Sequence, residues 1–255
     1  CAHNMRPLFQ RPDLDGSPFF WRAGQVGVLL IHGFTATPVE VRPLAEFLLG
    51  HGYSICAPLL PGHGLQPDNL NQVRWEMWLE EAEKHLFDLR EHCDHVICGG
   101  ESAGALIALL LASRYSEIKA ILAFAPALRT RRSSMAYFTA HLLSPWVKWI
   151  NKPYDDFDSP WQGYTVYPLK GLRQLFRLQA EVRRKLRQVK QPCLVVQGRQ
   201  DQTVDPRVPA LLVEGLASRM IEIRWFEHSG HTIILDAERA EVFQAALGFL
   251  QNVVG

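Results

Sequence analysis

The sequence is poor in several things that would narrow its class at once. Only five of 255 residues are cysteine (Cys1, Cys56, Cys93, Cys98, Cys193) and none is spaced as CxxC, which argues against zinc ribbons, dithiol redox motifs and a disulfide framework. Buried free thiols in a reducing compartment, the cytoplasm, are the expectation. No apolar run approaches the ~20 residues that cross a bilayer; the longest lies near "ALIALLLA" (105–112). No early segment has the zones of a signal peptide, although a start at Cys1 rather than Met leaves a processed or lipid-modified form open. Net charge is almost lacking, at 27 Lys and Arg against 26 Asp and Glu, and no nucleic-acid-binding motif is present. There is no internal repeat or low-complexity tract.

What is present is the composition of a globular protein, 47% hydrophobic and 21% charged. Runs rich in β-branched and apolar residues occur at 26–33, 53–60, 95–100, 120–126, 193–198 and 221–228. Most lack strict alternation, which is the pattern of strands covered on both faces of a parallel sheet. Helical periods lie between them. One apolar stripe runs through Trp75, Trp78, Leu79, Ala82, Leu86, Leu89 and Cys93, another through Ala240, Phe243, Leu247, Leu250 and Val254. Thr37, Pro38 and Glu40 read as a capping-box helix start closed by Gly50 and Gly52, and Asp236 as the N-cap of the last helix. Strands alternating with helices predict an α/β fold with a doubly wound, mostly parallel sheet. The alternation breaks once, over residues 127–190, which are expected to form an inserted cap on a core built from 1–126 and 191–255.

The chemistry centres on "GGESAGAL" (99–106), where Ser102 sits between a strand and an apolar helix with Gly100 and Gly104 two residues to either side. A serine hydroxyl becomes a nucleophile when a base removes its proton and a sharp turn presents it. Small residues at those two positions let strand and helix pass close together. GxSxG alone is only suggestive, and its weight depends on an acid and a histidine further along. "VVQGRQDQTV" supplies Asp201 just past a strand, and "FEHSGHTIILD" supplies His231 just past the last one. Loops at the carboxyl ends of parallel strands share one sheet edge, so Ser102, Asp201 and His231 can converge there. His228 and Asp205 are the nearby rivals, the first as a strand-end residue and the second, before Pro206, as a helix start. Glu101 is expected in a structural contact or in solvent. The helix beginning at Ala103 aims N–H groups and its positive end at the reacting oxygen, and Phe34 N–H in "IHGFTATP" is the expected second oxyanion donor. His32 and His63 are expected to brace loops.

Taken in order, "LLIHGFTATPVEVRPLAEFL", "PGHG", "GESAG", "QGRQDQTV" and "HSGHTIILD" resemble an α/β-hydrolase over almost the whole chain, and more narrowly the compact bacterial carboxylesterase and monoacylglycerol lipase group. That resemblance implies hydrolysis of short- to medium-chain acyl esters, monoacylglycerols among them, through an acyl-enzyme on Ser102 and with no metal or organic cofactor. Glu101 and Ala103 depart from the GLSxG pattern more usual in the group. Thioesterase, acyltransferase and carbon–carbon bond hydrolase chemistry use the same three residues, and a non-catalytic small-molecule binder on the same fold is the reading from another class.

Charge is unevenly spread. Residues 127–190 carry thirteen Lys or Arg against four acids, +9, which leaves −8 for the rest. Apolar positions Leu172, Leu175, Phe176, Val182, Leu186 and Val189 recur at helical spacing. A solvated basic face on a lid helix is the first expectation, and peripheral contact with an anionic lipid surface the sharper one. Acyl length, alcohol portion and oligomeric state leave no mark in the sequence.

Overall fold

The computed structural model describes residues 8–131, 133–152 and 160–254. Cys1 and part of the 127–190 segment lie outside them. Seven strands form the main sheet: β1 (Phe19–Trp21), β2 (Val26–Ile31), β3 (Ser54–Ala57), β4 (His95–Glu101), β5 (Ile121–Phe124), β6 (Cys193–Gly198) and β7 (Ile221–Phe226). Their spatial order is β7-β6-β5-β4-β2-β3-β1, parallel throughout except that β1 runs antiparallel to β3. The six apolar runs are the six parallel strands. The edge strand β1 carries only "FFW", too short to show a period, and it follows Pro18, so nothing in the pattern marked it.

Helices cover both faces. Trp75–Arg90 (α2), Ala103–Arg114 (α3) and Leu169–Lys185 (α5) bury their apolar stripes against one face with Val208 and Leu212 of Val208–Gly215 (α6). Arg42–Gly50 (α1) and Arg239–Val254 (α7) cover the other. Helix α3 is buried from Ala103 through Ala112, which is why its sequence is apolar all round. In α7 the buried residues are Val242, Phe243, Ala246, Leu247, Phe249 and Leu250, so Ala240 falls outside the stripe.

Between β5 and β6 the chain forms Ser133–Leu143 (α4), two short strands Trp149–Asn151 and Val166–Pro168 paired antiparallel, and then α5. Gly163–Tyr164 pairs with Phe9–Gln10 near the amino end, and Gln162 Nε2 donates to the carbonyls of Arg11 and Leu14. This segment therefore lies against the first residues of the sheet domain as well as above α3.

Two local expectations are corrected. No capping box forms at Thr37: the segment Pro38–Glu40 is a short 3₁₀ turn, α1 starts at Arg42, and the Thr37 hydroxyl donates to Gln162 Oε1 at 2.8 Å. Asp236 does not cap α7 with its side chain; its carboxylate accepts from Gly230 N at 2.5 Å and Ala237 N at 2.7 Å, which fixes the preceding loop. For Thr37 a tertiary partner outcompetes the local one, and for Asp236 the loop before the helix does.

Trp78 of α2 is 1% exposed, packs edge-on against Phe34 and His63, and donates its indole N–H to Pro61 O at 3.0 Å. Trp78→Ala is expected to cost about 3–5 kcal/mol through the cavity and the unpaired carbonyl, measured as a shift in the urea-unfolding midpoint.

Candidate active site

The strands β4, β6 and β7 end at one edge of the sheet, and each is followed by one of the expected residues. Strand β4 ends at Glu101 and α3 begins at Ala103, so Ser102 must reverse the chain alone; it does so at φ 56°, ψ −110°. For a residue with a Cβ this is a sparsely populated region that costs of order 1–3 kcal/mol and persists only where the surroundings enforce it. They do so here. A Cβ on Gly100 would stand 2.5 Å from Ile31 O and 2.6 Å from the Gly104 carbonyl carbon, and one on Gly104 would run into Ile31 O as well. Ser102 N donates to Phe124 O at 2.8 Å and Ala127 N to Ser102 O at 3.1 Å, which pins the turn to β5.

His231 Nε2 lies 3.0 Å from Ser102 Oγ, and His231 Nδ1 lies 2.9 Å from Asp201 Oδ2. Asp201 is buried. Its Oδ2 also accepts from Gln197 Nε2 at 2.7 Å, and its Oδ1 from the backbone N–H groups of Thr203 (2.7 Å) and Val204 (2.9 Å). Burial alone would push this carboxyl upward, but the imidazole and the N–H donors win and hold it below the usual carboxylate value. For His231 burial works downward and the charge and hydrogen bond of Asp201 work upward more strongly, so the imidazole lies above its ordinary 6.5. Donating Nδ1–H to the carboxylate leaves Nε2 as the acceptor facing the hydroxyl in the neutral form.

The rivals stand elsewhere. His228 is exposed and its N–H donates to Glu238 Oε2. Asp205 accepts from Arg207 N and pairs with the guanidinium groups of Arg207 (2.7 Å) and Arg129 (3.2 Å), which together hold it at about 2. Asp205 is therefore a helix-start residue with its own ion pairs.

Ala103 is the first residue of α3, where the N–H has no partner in the i→i−4 ladder. Across from it, Gly33 N donates to Glu40 Oε2 at 2.5 Å and Ala36 N to Gly33 O at 3.2 Å, while Phe34 N–H takes no acceptor among the described residues. His32 is fully buried and is pushed down to about 4 by burial; its Nε2 accepts from Leu60 N at 3.0 Å, so Nδ1 carries the proton and donates to Gly33 O at 2.9 Å. It ties the 32–36 and 58–62 loops together. His63 packs edge-on against it, its Nδ1 facing the carbonyls of Leu60 and Pro61.

Glu101 is neither exposed nor well bonded. It is 1% exposed, its Oε1 reaches Ile234 N only at 3.4 Å, and its Oε2 has no partner. Burial and the neighbouring Glu40 raise it well above the usual carboxyl range.

Four residues at the site were missed by sequence reasoning: Gln197, Glu40, Lys152 and Trp161. Gln197 lies in a fully buried apolar strand, and a polar residue there was a usable signal. Glu40 was read as a capping residue. Trp161 Nε1 donates to Glu40 Oε1 at 2.9 Å, and Lys152 Nζ to Thr35 Oγ1 at 2.6 Å; both come from the 127–190 segment, where sequence offers no register. Among the described residues no group of three His, Cys, Asp or Glu could hold a metal ion.

A buried carboxylate, an imidazole and a hydroxyl in hydrogen-bonded line can move a proton from Ser102 Oγ to His231. In NMR, the His231 ring protons are expected to titrate above pH 6.5, and to fall below it in Asp201→Asn, where burial remains and the charge is gone.

The sequence comparisons agree with this arrangement. The alpha/beta hydrolase family model matches residues 28–245. A thermostable monoacylglycerol lipase of Bacillus sp. (strain H-257) is 30% identical over 247 residues, covering 96% of this chain and 99% of that enzyme. A carboxylesterase of Bacillus subtilis (strain 168) is 27% identical over 238 residues, covering 92% and 96%. Among solved structures, one reported for the metagenome-derived lipolytic enzymes LipS and LipT superimposes with a TM-score of 0.87 at 26% identity, covering 93% of this chain and 98% of that one. With the family pattern spanning the sheet from β2 to α7 and a relative similar from end to end, this chain belongs to the alpha/beta hydrolase family.

Proposed function

We propose that the protein is a serine hydrolase of carboxylic esters, a carboxylesterase or monoacylglycerol lipase acting on short- to medium-chain acyl esters through an acyl-enzyme on Ser102. The observation that carries this reading is the unbroken line Asp201–His231–Ser102 with contacts of 2.9 and 3.0 Å at the end of a strained turn. The two Bacillus relatives, a monoacylglycerol lipase and a carboxylesterase, support the ester class.

In this mechanism His231 takes the Ser102 proton as Oγ attacks the ester carbonyl, and the carbonyl oxygen becomes an oxyanion bound by the N–H groups of Phe34 and Ala103. Protonated His231 then gives its proton to the leaving alcohol oxygen as the C–O bond breaks. Water, deprotonated by the same imidazole, attacks the acyl-enzyme and releases the acid. Asp201 stays ionised and orients the ring. Residues 127–190 serve as the cap over this centre, and the acyl pocket takes its shape from them. Thioester substrates fit the same steps; the alternatives of acyl transfer and carbon–carbon hydrolysis differ in the acceptor and the bond broken.

A second surface favours contact with lipid. Helix α4 turns Met135, Phe138 and Leu142, at positions i, i+3 and i+7, toward solvent, with Trp146 79% exposed just beyond. Exposed Arg131 and Arg177 lie on the same segment, as does Lys148, which pairs with Asp68 at 2.7 Å. Apolar side chains beside cations are what an anionic membrane surface binds. No helix among the described residues is long and apolar enough to cross a membrane. For compartment we read the cytoplasm, on the buried unpaired thiols of Cys56, Cys93, Cys98 and Cys193.

Ser102→Ala is expected to lower p-nitrophenyl ester turnover by about a millionfold, by comparison with subtilisin, and to abolish labelling by a fluorophosphonate probe. Near-normal hydrolysis by that variant rules Ser102 out as nucleophile. In flotation, the protein is expected to rise with anionic vesicles at low salt and less at physiological salt, and the Phe138→Asp, Trp146→Asp variant to remain at the bottom. Absence of the intact protein from the vesicle fraction at both salts leaves α4 without a lipid role.

A further inference from the structure

The turn from Gly33 to Glu40 takes its shape from side chains that lie outside it. Glu40 is 4% exposed, and both of its oxygens are used: Oε2 accepts from Gly33 N at 2.5 Å and Oε1 from Trp161 Nε1 at 2.9 Å. Two residues before the bridge from Ala36 to Gly163, Phe34 has its carbonyl engaged by the Thr35 hydroxyl at 2.5 Å, and Thr35 itself stands at φ 71°. The same Thr35 Oγ1 accepts from Lys152 Nζ at 2.6 Å, while Thr35 O accepts from Tyr164 N at 2.9 Å. Lys152 Nζ in turn lies 4.3 Å from the centre of the Trp161 ring and 5.3 Å from that of Tyr167. Trp161, Lys152 and Tyr164, all from one segment, thus grip Glu40 and Thr35, whose own side chains bond Gly33 N and Phe34 O.

A carboxylate in this place needs a reason. A Cβ on Gly33 would stand 3.0 Å from Glu40 Oε2 and 3.3 Å from Ser102 Cβ, so the charge lies close to a centre where an anion forms during acyl transfer. On electrostatics alone it opposes the reaction. Its compensating effect is geometric. A carboxyl oxygen accepting from Gly33 N–H at 2.5 Å takes that donor out of competition and fixes the plane of the next peptide, the one carrying Phe34 N–H. Lys152, when protonated, offsets that charge.

We propose that Glu40, held by Trp161, is a positioning residue that orients the Gly33–Phe34 peptide so that Phe34 N–H faces the oxyanion. The inference rests on the reading of Ser102 as nucleophile and of Phe34 N–H as oxyanion donor. Glu40 acts through Phe34 and does not itself touch substrate.

Its consequences differ from those of a structural pin. Trp161→Phe keeps the ring and removes the donor. Glu40→Gln keeps the volume but sets an amide N–H against one of the two N–H groups it must accept. Each is expected to lower kcat about 10- to 100-fold with KM changed less than about threefold, somewhat below the loss when an oxyanion donor is deleted outright. Affinity for a trifluoromethyl ketone, whose adduct with Ser102 carries an oxyanion, is expected to fall in step with kcat/KM. The acid limb of the pH profile supplies a second readout. His231 is faced by Asp201, Glu40 and Lys152; Glu40 is faced by His231, Lys152 and Glu101; and Lys152 also faces His63. Negative charge at Glu40 raises the imidazole and positive charge at Lys152 lowers it. Glu40→Gln should therefore move the acid limb of kcat/KM to lower pH, and Lys152→Met should move it to higher pH.

The experiment measures kcat, KM, ketone inhibition and the pH profile of the full chain and of these three variants, with thermal midpoints alongside. Matched losses in kcat/KM and ketone affinity with opposite pH displacements support the assignment. Wild-type kcat in both Glu40→Gln and Trp161→Phe overturns it, as does a fall in kcat with ketone affinity unchanged, or displacement of the two pH profiles in the same direction. If Glu40→Gln does not fold, the same criteria are applied to Trp161→Phe and Lys152→Met. Ser102→Ala separates the levels: activity retained there sinks the nucleophile reading itself, whereas its loss beside normal Glu40→Gln and Trp161→Phe enzymes sinks only the role of Glu40.

Discussion

Helix α3 approaches β2 and β4 so closely that the Ile31 carbonyl leaves no room for a side chain at Gly100 or Gly104. Because of that contact Ser102 has a single residue in which to turn, and it adopts φ 56° with its hydroxyl at the sheet edge. A larger residue at either position would push the helix away, relax the turn and swing the hydroxyl out of line with His231. The buried, apolar length of α3, from Ala103 to Ala112, supplies the packing that keeps the helix against the sheet and so holds the strain in place.

The same rim holds three buried carboxyl groups, and their differing surroundings give them different states. Asp201 receives three N–H donors and an imidazole and is held below the usual carboxylate value; Glu101 receives one long bond, faces Glu40, and is raised well above it. Glu40 lies between, with two donors and an ammonium nearby but deep in the protein, and its carboxyl is raised. Lys152 mirrors it, lowered to about 7 by burial against the upward pull of Glu40. The balance of donors against depth sets the direction in which each carboxyl shifts.

Much of this could be read from the chain. The six parallel strands announced themselves through continuous apolar runs, and Ser102, Asp201 and His231 through their chain order and their places after strands, since a parallel sheet must bring such loops to one edge. What escaped has more than one cause. Strand β1 is three residues long and shows no period, the Asp236 side chain bonds within its own loop, the Thr37 side chain found a partner distant in sequence, and Glu40 satisfied a local helix-start pattern while bonding to Trp161, 121 residues away. Local patterns carry no information about such partners. The segment from 127 to 190 is hardest of all, because its short strands pair with each other and with Phe9–Gln10 rather than with the repeating βα framework.

That last pairing bears on how a substrate could enter. Its Gly163–Tyr164 ribbon, the Gln162 bonds to Arg11 and Leu14, and the Tyr164 hydroxyl on Gly62 O anchor the later half of the segment at several independent points. Swinging it outward as one rigid flap would sever all of them together. The later half of the segment is therefore a fixed part of the rim around Ser102, while among the described residues α4 is held by its packing on α5, Tyr137 against Phe176.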